Sequence, residues 1–104
     1  MSARLQMLEK LIARGTTDPF VHYAHAMELR TLGRGEEALA AFDGVRERFP
    51  SYVPTYLMAG QLAIELSARE RAEQFLTQGL AVARSTGDSH AESELASALS
   101  TLVP

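Results

Sequence analysis

Apolar residues recur along the chain at helical spacing. Leu5, Leu8, Leu11 and Ile12 alternate with Arg4, Glu9 and Lys10, and Gly15 offers a left-handed stop, which predicts a first helix. Asp18 before Pro19 reads as an N-cap followed by a first helical residue, because proline gives up only an amide that is already orphaned there. The second helix is predicted from Pro19 to Leu32, with Gly33 ending it. Glu36 and Glu37 open a third near the positive end of its dipole, and Ala38, Phe42, Val45 and Phe49 form its stripe before Pro50 stops it. Pro54, Tyr56, Ala59, Gly60 and Ala63 predict a fourth helix ending near Leu66. Ser67 with Glu70 has the S-x-x-E spacing of a capping box and starts a fifth helix through about Arg84. After Gly87, Ser89 and Glu92 repeat that spacing. Ala91, Leu95, Ala98 and Leu102 then give a sixth helix one apolar side against Ser93, Glu94, Ser97 and Thr101. No segment alternates as a strand does, so the expected class is all-α.

Helices two and three map onto helices four and five under one constant shift. A spacing of 34 residues separates Ala26 from Gly60, Ala38 from Ala72 and Phe42 from Leu76. The small members have a physical task, since antiparallel helices approach closely only where neither carries bulk. Phe42 and Leu76 fill the layer beside them.

Composition narrows the function classes. A net charge of -3 gives no basic field for phosphate backbones, so no nucleic acid is expected as partner. The chain has no cysteine, which removes disulfides, thiolate metal sites and cysteine nucleophiles. Glu9 and Lys10 interrupt what a signal peptide would need, and no apolar run is long enough to span a membrane; a cytoplasmic protein with no membrane partner is expected. The 104 residues show no linker and read as one domain.

The remaining chemistry-bearing residues read as structural. His22, His25 and Glu28 have a spacing that metal ligands use, but no third imidazole is near in sequence, so no metal is expected. Glu36 and Glu37 are explained by the helix dipole. Gly33-Arg34-Gly35 follows a helix rather than a strand and reads as a turn, and no serine lies in a nucleophile elbow. Arg46, Arg48, Arg69 and Arg71 interleave with Glu47, Glu70 and Glu73 as solvated helix faces. The chain is therefore expected not to be an enzyme and to need no cofactor.

With a small residue at Ala26, Ala38 and Phe42 in the next helix and a closing Pro50, the chain resembles the tetratricopeptide repeat family. Tyr56, Gly60 and Ala72 carry the resemblance into a second copy. It departs at Leu76, where an aromatic is usual, at Arg84, where proline is missing, and at His22 and His25, where larger apolar residues are usual. The resemblance implies antiparallel helix-hairpin repeats in a right-handed solenoid of about six helices. Residues 17–50 and 51–84 would be the two full repeats, with 1–15 and 88–102 as cap helices of the kind short bacterial members carry.

It also implies that the first helix of each hairpin lines a concave groove. Here that face carries Phe20, Tyr23, Met27, Arg30, Pro54, Leu57, Gln61, Ile64 and Glu65. Phe20, Tyr23 and Met27 share a face distinct from that of Ala26 and Leu29. Either they line an open apolar groove, or this stripe packs on helix one while the other packs on helix three. Members that grip acidic C-terminal peptides use Lys and Asn side chains where Tyr23 and Met27 stand, so that clamp is not expected. The function implied is binding a peptide or helix of a partner protein, with Arg30 orienting an acidic flank. The alternatives are a structural homodimer that buries the same surface, and an RNA-reading helical repeat, against which the acidic balance and the 34-residue spacing argue.

Overall fold

The computed structural model describes residues 2–103, and its helices are α1 (Ala3–Ala13), α2 (Pro19–Thr31), α3 (Gly35–Arg48), α4 (Pro54–Glu65), α5 (Arg69–Thr86) and α6 (Ser89–Ser100). They form two compact units, one ending at Phe49 and the other beginning at Pro50.

In the first unit α2 packs against both α1 and α3. Leu5 and Leu8 of α1, Ala24, Ala26 and Leu29 of α2, and Ala38, Leu39, Phe42 and Val45 of α3 are buried. Polar ties reinforce the α1–α2 pair. Ser2 accepts from the Leu5 amide as N-cap of α1 and donates its own hydrogen to Glu28 Oε2 at 2.8 Å. Asp18 caps α2 at the Phe20 amide, as its place before Pro19 predicts.

The second unit packs α4 on α5 and lays α6 against both. Tyr56, Ala59, Leu62, Ala63, Ala72, Phe75, Leu76, Ala83 and Leu95 form its core. Tyr56 is buried to its hydroxyl, which donates to the Pro50 carbonyl at 2.6 Å, so the polar tip is satisfied inside the protein. The repeat-related pairs Ala26/Gly60, Ala38/Ala72 and Phe42/Leu76 all lie in these cores.

Three local expectations are corrected. Ser67 is not the N-cap of α5. It sits at φ 60, and its amide and that of Ala68 close the end of α4 on the Ile64 and Ala63 carbonyls at 3.0 and 2.8 Å. Gly33, 34 residues earlier, closes α2 through the same pair of bonds, and Gly15 and Gly87 do so after α1 and α5. Among the described residues, only Ser67 meets this left-handed position with a side chain. Ser67→Gly should therefore raise stability by about 0.5–1 kcal/mol, read from the urea midpoint; an unchanged or lower midpoint would count against the motif.

Ser89 is not the cap of α6 either. Gly87 takes the left-handed turn, which leaves Asp88 as the last extended residue, and its carboxylate accepts from the Ala91 amide at 3.0 Å. Glu92 instead accepts from Arg84 Nε at 3.0 Å. Finally, α5 runs past Arg84 to Thr86. Pro50 halts α3 at Arg48, whereas no proline stands at the matching place in the second copy.

Arg34 and Glu37 form a two-pronged pair at 3.0 and 2.6 Å at the start of α3. Hydrogen bonding between them raises the Arg34 pKa and lowers that of Glu37. Both are solvent-exposed, so screening leaves the pair little weight in stability.

Candidate functional site

The face of α2 carrying Phe20, Tyr23, Met27 and Arg30 lies beside the buried stripe of His22, Ala26 and Leu29. Phe20 is 55% exposed, whereas Tyr23, Met27 and Arg30 are half-buried. The Phe20 and Tyr23 rings lie 6.4 Å apart, and Tyr23 in turn leans on the core ring of Phe42 at 6.1 Å. The inner edge of this stripe is thus anchored in the core, and its outer edge meets solvent. α1 engages other α2 residues: His25 lies 3.6 Å from Glu9, and Glu28 pairs with Ser2 and Arg4. The Phe20/Tyr23/Met27 stripe is not the surface on which those polar ties fasten α1.

On α4 the expected residues divide. Ile64 and Glu65 are exposed, and Pro54 is exposed at the helix start. Leu57 and Gln61 are half-buried and form one wall of an open cleft of about 410 Å³, whose other wall is α6 with His90, Ser93, Glu94, Ser97, Ala98 and Thr101. Sequence reasoning assigned none of these α6 residues to a site. The available signal was the run of small and hydroxylated residues on the side of α6 opposite Leu95, which reads equally as plain solvated surface.

His22 and His25 are held within the fold. His22 is buried; its Nε2 donates to the Thr16 carbonyl at 3.0 Å and its ring lies 5.2 Å from Phe49. No group of three His, Asp or Glu side chains among the described residues is arranged to hold a metal ion. No described helix is long and apolar enough to cross a membrane.

No protein-family model matches the chain, and no curated protein is matched. Solved structures do match. The tetratricopeptide repeat domain protein of Salinibacter ruber, determined both in solution and in a crystal, is 36% identical over 82% of this chain, at TM-scores of 0.77 and 0.76. The match covers 86% of the solution chain and 96% of the crystallised one. A protein of Bordetella parapertussis solved in solution is 25% identical at a TM-score of 0.81, over 98% of this chain and 89% of that one.

Proposed function

Because the chain belongs to the tetratricopeptide repeat family, we propose that it is a non-catalytic binding module that takes a peptide or helix of a partner protein, with one exposed contact face on α2 in the first unit and another on α4 in the second. Phe20, Tyr23, Met27 and Arg30 would make the contacts on α2, and Leu57, Gln61, Ile64 and Glu65 those on α4. The observation that carries this reading is the placement of Phe20. An aromatic ring left 55% exposed and tilted against a second ring, on the face that also carries Met27, leaves apolar surface in water that a partner would cover. Tyr and Met supply large, adaptable contact area of the kind enriched at interfaces, and Arg30 suits an acidic flank.

The same exposed ring favours a second reading, in which two copies cover each other through this face. Both readings are tested by Phe20→Ala with Met27→Ala. These residues are chosen over Tyr23 because Tyr23 also packs on Phe42. The double variant should keep its helical signal and unfolding midpoint and lose at least tenfold, about 1.4 kcal/mol, in affinity for partners captured from lysate. Undiminished capture would remove α2 from the binding surface.

A further inference from the structure

We propose that the cleft between α4 and α6 binds an extended peptide segment through a lysine or arginine side chain, with Glu94 as its counter-ion. This rests on the peptide-binding reading above and assigns the second unit its own ligand chemistry.

The cleft is built for a backbone rather than for an apolar helix. Ser93 and Ser97 lie one turn apart on α6 and Thr101 follows at its C-cap, so three hydroxyl-bearing residues line this wall, the Thr101 hydroxyl donating to the Ala98 carbonyl at 2.6 Å and keeping its oxygen as an acceptor. Gln61 faces them from α4 with an amide that both donates and accepts. Leu57 and Ala98 add a small apolar surface. A helix arrives with its backbone groups already paired, whereas an extended strand brings free N–H and C=O groups that match such walls.

The charge of the cleft selects the side chain. Its lining holds one carboxylate, Glu94, and no lysine or arginine. The neighbour of Glu94 is His90, one turn earlier on the same helix, with Nε2 at 2.5 Å from Oε1. The His90 side chain is 86% exposed, so an incoming cation displaces it with little loss of packing. From Pro50 onward the chain carries Arg69, Arg71 and Arg84 against Glu65, Glu70, Glu73, Asp88, Glu92 and Glu94, so the whole excess of -3 lies in this unit. Arg84 is already paired with Glu92. The field around the cleft therefore attracts cations and repels acidic peptides.

The test uses the full chain, labelled with nitrogen-15, and two synthetic peptides: acetyl-Ser-Leu-Ser-Arg-Ser-amide and the same peptide with citrulline, a neutral analogue of arginine. The arginine peptide should shift the amides of Gln61 and of α6 saturably, and the citrulline peptide should bind about fivefold more weakly, the scale of a partly exposed ion pair. Glu94→Gln should bring the arginine peptide down to the citrulline level. Equal affinity for the two peptides, an unaffected Glu94→Gln variant, or shifts outside the cleft would each overturn the assignment. A third peptide, uncharged and rich in Phe and Leu, separates the two claims. If it shifts the amides of α2 while the arginine peptide binds nowhere, the cleft assignment fails and the general reading stands. If none of the three binds, both fail.

Discussion

Gly79→Ala is expected to destabilise the protein by about 2 kcal/mol or more, although alanine is the better helix former by about 1 kcal/mol. A Cβ at Gly79 would meet Tyr56 Cβ and Cγ within 3 Å, and Leu95 Cδ2 at 3.0 Å. Tyr56 has no room to yield. It is buried, its Cβ is fixed to the backbone of α4, and its hydroxyl is held by the Pro50 carbonyl. Gly79 is thus the place where α5 touches both α4 and α6, and the added methyl would push the three helices apart. Gly44 in α3 is the internal control, because a Cβ there meets nothing within 4 Å. Gly44→Ala should raise stability by up to about 1 kcal/mol on propensity alone. Thermal unfolding followed by circular dichroism compares the two: the midpoint should fall by about 8 °C or more for Gly79→Ala and rise for Gly44→Ala. Similar shifts in the two variants would show that α5 does not make this close crossing.

The second large effect lies one layer away. Leu76 is fully buried, and Leu76→Ala should cost about 2–5 kcal/mol through lost burial and the cavity left behind. Gly60 faces that side chain: a Cβ there would come within 2.5 Å of Leu76 Cδ2 and 2.6 Å of Cγ. Gly60→Ala alone should therefore be unfavourable by about 1–3 kcal/mol. Once Leu76 is truncated, the same methyl enters the vacated space. The double variant should lie at least about 1 kcal/mol above the sum of the two single losses in urea unfolding. Additive losses would mean that the contact does not set the packing of this layer. The first copy fills the same layer with Ala26 and Phe42, both fully buried. A ring in the second helix goes with a methyl in the first, and the branched Leu76 goes with glycine.

That exchange explains which parts of the fold were readable from the residues. Ala26/Gly60, Ala38/Ala72 and Phe42/Leu76 keep their size class across the repeat, so one constant shift exposed both hairpins. Val45 and Gly79 stand 34 residues apart and do not keep it. Nothing in the repeat pattern marks Gly79, although it is the tightest glycine of the second unit. The serines misled for a different reason. Ser67 and Ser89 both precede a glutamate at capping-box spacing, but backbone geometry decides which residue caps. Ser67 is spent on the left-handed stop of α4, and Gly87 passes the cap of α6 to Asp88.

The candidate site was readable on α2, where the i, i+3, i+7 spacing of Phe20, Tyr23 and Met27 placed them on one face. It was not readable on α4, because the surroundings of Leu57 and Gln61 depend on where α6 lies.

The central claim is that the α2 face is left open for a partner of different sequence. Sedimentation equilibrium of the purified protein over a wide range of concentrations tests it most directly. The account predicts a mass of 11.4 kDa that does not change with concentration. A stable dimer that reverts to monomer in the Phe20→Ala, Met27→Ala variant would contradict it, because the chain would already be covering that face with a second copy of itself.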